Sequence, residues 1–367
     1  VELAVRAVAW PGRAGKDRAE GGAGARAARI AKGPPMKLAT ISLAGRDRVC
    51  AVTADGALVD LAQALAEARG DAPAWAADMI ALIAAGPEAL AAARAALAFA
   101  EAHPDRVPPL PAAGVAWLPP VLRPSKLCCL ALNNSANADR ILSGPGHPAV
   151  FTKAANALVG HEGDIRLRPE FGRVHPEPEL AVVIGRTASD VTAAAAMEHV
   201  FGYTVHNDIT SPTMRGEDTF HYRAIHPGAD GTGLRHVETH VTYPGRYKGA
   251  DTFSPLGPWI VTRDEIADPH ALAVTCRHRG EIVTEDSTAN LTHRIPEVIA
   301  FVSSYMTLLP GDVLSMGTAL KRAGAGTGRA VQTVDLATLG GPVSVTIQNI
   351  GTLSSNVRML TQRNATP

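Results

Sequence analysis

Two apolar runs with carboxylates at their ends constrain this chain more than any other feature. Leu180-Ala-Val-Val-Ile184 is preceded by Glu177 and Glu179, and Val200-Phe-Gly-Tyr-Thr-Val205 leads into Asn207-Asp208. Short uncharged runs of this kind predict buried strands. In an extended strand residues i and i+2 share a face, roughly 7 Å apart, so Glu177 and Glu179 point the same way. Like charges side by side on a partly buried face repel and resist desolvation unless something positive lies between them. A divalent cation meets that need. Carboxylate oxygens are hard ligands suited to Mg²⁺, Mn²⁺ or Ca²⁺, and about three protein oxygens leave coordination positions for water and substrate. The same residues also fit a plainer arrangement, a solvated strand face followed by a turn at Asp208, and the local pattern alone does not choose between the two.

With 367 residues and 46% hydrophobic content, the chain can bury a large core, and one catalytic domain with a smaller appendage is the natural partition. Its formal net charge of zero gives no electrostatic reason to expect nucleic acid or an anionic membrane as partner. Cys50, Cys128, Cys129 and Cys276 show neither a C-x-x-C nor a metal-finger spacing. They read as reduced core thiols, and a cytoplasmic protein is the expectation. The Ala-rich stretches are interrupted by charges too often to span a bilayer.

Residues 1–35 are rich in Ala, Gly and Arg and end in Gly33-Pro34-Pro35, which predicts a disordered or misassigned extension ahead of a domain starting at Met36. Residues 36–115 read as a small α+β domain. Strands are expected at 37–43, 48–53 and 57–59, with turns at Gly45-Arg46-Asp47 and Asp55-Gly56, followed by helices near 61–68, 74–84 and 87–102. A Pro-rich linker leads to a catalytic domain over 120–360, beginning with a buried strand at 126–132. Further strands are expected at about 270–278 and 281–285 around Arg279-Gly280. The recurrence of Ile295, Val298, Ile299, Val302, Tyr305, Met306 and Leu309 predicts a core-packing helix stopped by Pro310-Gly311. Gly324, Gly326 and Gly328 read as a loop rather than a nucleotide fingerprint, since no βαβ unit surrounds them.

The strings PELAVVIGR, FGYTVHND and KGADTFSPLGPWIVT (Lys248–Thr262), with LLPGDVLSMGT (Leu308–Thr318), GPVSVTIQNIGTL (Gly341–Leu353) and VFTKAANALVGHEGDI (Val150–Ile165), resemble the fumarylacetoacetate hydrolase superfamily over residues 120–358. The resemblance implies an α+β fold whose β-rich catalytic domain is a mixed β-sandwich roll. It implies a divalent ion, Mg²⁺ or Mn²⁺ with Ca²⁺ possible, held by Glu177, Glu179 and Asp208, and a small 2-oxo or β-diketo acid as substrate in a homodimer. By the same resemblance Lys248 lies in the active site as a catalytic and substrate-binding group, and Thr318 contacts substrate. Arg215 stands where relatives carry glutamine and is assigned to substrate binding.

The proton-handling positions depart from the family pattern. Relatives carry a His/Glu pair that activates water, and here Asn137 and Arg140 stand in those places. An amide is no base at neutral pH, and a guanidinium stays charged. Lewis-acid stabilisation of an enolate is a step common to C–C hydrolysis, tautomerisation and decarboxylation, so the departures bear on which reaction follows. The first expectation is a hydrolase acting on C–C bonds in ketonic substances, with a histidine such as His147, His161 or one of the long 216–247 insertion replacing the pair. The alternatives are a tautomerase, isomerase or decarboxylase of a 2-oxo acid and, from another class, a catalytically silent metabolite-binding scaffold.

Overall fold

The apolar runs become the middle of an 11-stranded mixed sheet in the computed structural model, which describes residues 36–111, 114–321 and 330–361. The expectations for residues 1–35 and for the loop of Gly324, Gly326 and Gly328 lie outside the described residues. Along its main path the sheet runs Leu58–Asp60, Arg46–Val52, Lys37–Leu43, Ser254–Thr262, Val200–Asn207, Pro178–Ile184, Val313–Ser315, Leu127–Ala131 and Ala149–Lys153. Along this path the pairs are antiparallel except Val313–Ser315 with Leu127–Ala131, which is parallel, and off it Leu158–Val159 pairs in parallel with Ser254–Thr262. A second, five-stranded sheet contains Ala273–His278, Glu281–Ser287, Val343–Ile347, Gly351–Met359 and Asp164–Leu167.

The central strands are buried on both faces, which is why Leu180-Ala-Val-Val-Ile184 is uninterrupted by polar residues. Leu180, Val182 and Ile184 face a core shared with Val274, Cys276, Val345 and Leu353 of the second sheet and with helix Ile295–Ser303. Val183 points to the other side, where it meets Ile260, Leu38 and the helices Leu61–Arg69 and Gly86–Ala102. Each fully buried aliphatic side chain of this kind contributes roughly 1.5–3 kcal/mol. The N-terminal strands join the same sheet, because Lys37 and Leu38 pair with Val261 and Ile260.

Local chemistry moves several predicted boundaries. The helix expected over 74–84 is a 3₁₀ turn, Ala74–Ala77, followed by an α-helix, Met79–Ala84, because the Asp78 side chain accepts from Ala81 N–H (2.7 Å) and caps a new start. The helix expected to reach Leu309 stops at Ser303. Beyond it Leu309 N–H donates to Asp312 Oδ2 (2.7 Å), and Tyr305 is 53% exposed, so the last part of the apolar period is not a helix face. The Pro-rich linker holds a strand that composition concealed, Ala116–Leu118, paired with Lys37–Leu43. The 216–247 insertion forms an exposed two-stranded hairpin, Thr219–Pro227 against Leu234–Thr242. All four cysteines are buried and free. Among the described residues no helix is long and apolar enough to cross a membrane.

Candidate metal centre

Strand register brings the three acids together. In the antiparallel pair Pro178–Ile184 with Val200–Asn207, Glu179 lies opposite His206 and Pro178 opposite Asn207. Two bonds continue the pairing past the strand ends. Asp208 N–H donates to Glu177 O (2.9 Å), and Glu177 N–H donates to Asn207 Oδ1 (2.9 Å). Glu177, Glu179 and Asp208 therefore each offer a carboxylate oxygen within 4.8 Å of the others. The neighbouring strand Val313–Ser315 supplies the next layer. The Ser315 hydroxyl and Gly317 N–H both donate to Glu179 Oε2, the latter at 3.1 Å. Thr318 Oγ1 lies 3.0 Å from Glu177 Oε2 and 3.2 Å from Glu179 Oε1.

The turn carrying Thr318 is held from several sides. Gly317 has φ +98°, and a Cβ there would come within 2.8 Å of Asn133 Cβ, so glycine is required. Asn133 Nδ2 donates to Met316 O (2.8 Å) and Asn134 Nδ2 to Thr318 O (3.1 Å). Ala319 donates its N–H to Pro178 O (2.8 Å), a bond proline could not make.

Two lysines balance the acids. Lys248 Nζ sits 2.5 Å from Asp208 Oδ2 and 2.9 Å from Glu177 Oε2, with Phe151 beneath it at 5.0 Å. Lys153 Nζ, fully buried, sits 2.5 Å from Asp208 Oδ1. Burial alone would raise the Glu177 carboxyl, but Lys248 and the hydrogen bond from His175 outweigh it and hold the group far below the usual range. Asp208 is likewise lowered against burial, by Lys153 and Lys248. Glu179 goes the other way, pushed up to about 8 by burial and then by Asp208 and Glu177. Burial disfavours a charged Lys248, yet Asp208 and Glu177 raise it well above its ordinary value. Neighbouring carboxylates driven in opposite directions mark a site of high, unevenly shared negative charge. The donor set is all hard oxygen, and an ammonium already bridges two of its members, so these residues fit a small divalent cation.

Of the residues singled out from sequence, Glu177, Glu179, Asp208, Lys248 and Thr318 converge. Arg215 is exposed on the short helix Pro212–Glu217 and takes no part in this cluster. Asn137 is buried, its Oδ1 accepting from the exposed Arg140 at 3.4 Å. The candidate replacement histidines stay out. His147 is exposed and stacks on Phe301 (4.8 Å), His161 accepts from Ser354 N–H, and His221, His226, His236 and His240 are exposed on the hairpin.

Three groups at the centre escaped the sequence reading. Lys153 follows Val150-Phe-Thr152, and a lysine closing an apolar strand was the available signal. His175 donates to Glu177 Oε1 from Nε2 at 3.0 Å. His206 lies between Ser315 Oγ (2.7 Å from Nδ1) and Ser254 Oγ (2.6 Å from Nε2). Because Ser315 gives its proton to Glu179, its oxygen accepts from His206 Nδ1–H, and Nε2 accepts from Ser254. This is a neutral imidazole, consistent with burial pushing His206 down to about 3.

Clustered carboxylates at the strand ends of the main sheet, with Lys248 and Thr318 against them, make up an enzyme-like site. The fumarylacetoacetate (FAA) hydrolase C-terminal family matches residues 126–358, and the chain belongs to the fumarylacetoacetate hydrolase family. It is 35% identical over 241 residues to a mitochondrial oxaloacetate tautomerase of Bos taurus, spanning 65% of this chain and 68% of the relative. Its fold is similar to that of fumarylacetoacetate hydrolase from Exiguobacterium antarcticum (29% identity, TM-score 0.66, covering 89% of this chain and 100% of that one). It is also similar to a maleylpyruvate hydrolase from a Sphingobium species in complex with manganese (II) ion and pyruvate (26% identity, TM-score 0.60, 88% and 99%). A 5-carboxymethyl-2-hydroxymuconate delta-isomerase from Mycobacterium smegmatis shares the fold as well (26% identity, TM-score 0.58, 89% and 99%). The family thus includes hydrolases, isomerases and tautomerases.

Proposed function

We propose that this chain tautomerises or isomerises a small 2-oxo acid of the oxaloacetate type, with Glu177, Glu179 and Asp208 as ligands to Mg²⁺ or Mn²⁺. The observation that carries the reading is the proton-handling segment. Asn137 and Arg140 occupy the water-activating positions, and among the described residues none of the candidate replacement histidines meets the acids. Keto–enol conversion gives up a proton at one substrate atom and takes one at another through a proton carrier, and it consumes no water.

A divalent ion at the trio would supply Lewis-acid polarisation of the 2-oxo group. The chain's own residues do the rest. The Lys248 ammonium, raised so that it stays charged at neutral pH, binds the substrate's carboxylate or developing enolate oxygen. The Thr318 hydroxyl, on a turn held by the Asn134 bond to its own carbonyl, orients the substrate beside Lys248, since both meet Glu177 Oε2. C–C hydrolysis is the second reading, favoured by the similarity to the maleylpyruvate hydrolase.

Decay of enol absorbance should separate the two. With Mg²⁺ or Mn²⁺ the protein is expected to speed oxaloacetate enol-to-keto conversion at least tenfold over buffer, and Asp208→Ala should abolish the metal response. Release of pyruvate from an acylpyruvate with no effect on oxaloacetate would overturn the proposal in favour of hydrolysis. Tight oxaloacetate binding without turnover would leave only a binding scaffold.

A further inference from the structure

Asp208 has its two oxygens divided between two lysines of different character. Oδ2 faces the other acids and pairs with Lys248, whose side chain keeps 10% exposure. Oδ1 faces the interior and pairs with Lys153, whose side chain has none. Lys153 closes the strand Ala149–Lys153, in register with Leu127. Its ammonium also donates to Phe253 O (2.5 Å) and lies 3.4 Å from Ile209 O. An ammonium has three donors, and all three of these have a partner. Moving Lys153 would strand a buried charge and take a donor from two carbonyls, of which Phe253 O keeps the Ile209 N–H (3.1 Å), whereas Lys248 retains some exposure on the side of the other acids.

We propose that Lys153 is a positioning residue that makes Asp208 a one-oxygen ligand and thereby biases the centre toward small octahedral cations, Mg²⁺ and Mn²⁺, over Ca²⁺. The inference rests on the reading of the acidic trio as a metal centre. An oxygen held by a fixed ammonium is unavailable to a cation on the far side of the carboxylate. Ca²⁺ gathers six to eight oxygens and often takes carboxylates two oxygens at a time. Mg²⁺ demands near-octahedral geometry, which single-oxygen ligands satisfy. Occupation of Oδ1 therefore costs Ca²⁺ a ligand and costs Mg²⁺ nothing.

Calorimetric titration of the whole chain with Mg²⁺, Mn²⁺ and Ca²⁺, for wild type and Lys153→Met, tests this. Removing one positive charge alone would tighten all three divalent ions alike and leave their ratios unchanged. Loss of positioning is expected to raise the Ca²⁺-to-Mg²⁺ affinity ratio by about tenfold or more, the scale on which outer partners of metal ligands act. An unchanged ratio overturns the proposal. If Lys153→Met does not fold, the unaltered protein still decides. A Mn²⁺-soaked crystal should show Asp208 bound through Oδ2 alone with Lys153 on Oδ1, and two-oxygen coordination by Asp208 overturns it. A wild type that gives no heat with any of the three ions defeats the metal-centre reading itself, a result distinct from binding with the wrong selectivity.

Discussion

Replacing Lys248 by methionine should make folding dependent on a divalent cation. The ammonium pairs with Asp208 Oδ2 at 2.5 Å and Glu177 Oε2 at 2.9 Å, at a position only 8% exposed. Methionine preserves most of the volume and removes the charge, leaving Glu177 without its ammonium and the acids with Lys153 alone. Breaking a buried pair from one side costs about 3–5 kcal/mol. Protonation limits the loss. Once Glu177, whose main stabilising charge is Lys248, is forced to fold neutral, the penalty at pH 7 is that of carrying a proton roughly 2.5 pH units above its ordinary 4.5, or roughly 3–4 kcal/mol. The sign follows from the depressed pKa in the wild type, where the carboxylate contributes stability above 4.5 that only acid removes. In the variant the penalty grows with pH, so it should shrink to under about 2 kcal/mol at pH 5. Urea unfolding in EDTA at pH 7 and pH 5 reads both values. Mn²⁺ should then restore the variant by RT ln(1 + [M]/Kd) and stabilise it more than it does the wild type, since the ion no longer competes with the ammonium. A variant as stable as wild type in EDTA at pH 7, or a defect that does not shrink at pH 5, would refute the reasoning.

Two further outcomes follow from the geometry. Burial pushes His206 down from 6.5 to about 3, so its neutral form contributes stability that is complete above 6.5 and lost as pH falls toward 3, roughly 4–5 kcal/mol in all. His206→Gln should lose stability less steeply than wild type between pH 6.5 and 4.5, by about one proton in the slope, and parallel acid limbs would contradict this. Gly160→Ala would place a Cβ 2.2 Å from Trp117 O, so a loss of at least about 2 kcal/mol is expected from overpacking against backbone. An unchanged thermal midpoint would show that the strand Ala116–Leu118 can move aside.

The sequence carried different parts of this protein unequally. The individual strands were legible because apolar runs and tight turns are local signals, whereas their assembly into sheets was implied only by the family resemblance. The short linker strand Ala116–Leu118 was not, since its pairing with Lys37–Leu43 is supplied by tertiary contact and prolines surround it. The helix ending at Ser303 was overread for a related reason. Periodicity at Tyr305 and Leu309 continued past the point where Asp312 captures the Leu309 amide.

By itself the sequence determined the family strings, the paired glutamates on one strand face and the loss of the His/Glu pair, all of which are properties of neighbouring residues. Only the tertiary structure decided that Asp208 joins those glutamates through a strand register, that Lys153 and His206 stand behind them, and that the insertion's histidines remain in solvent. Those facts depend on approaches between residues tens of positions apart. No local propensity encodes such an approach; it is fixed by which faces the packed sheets bury.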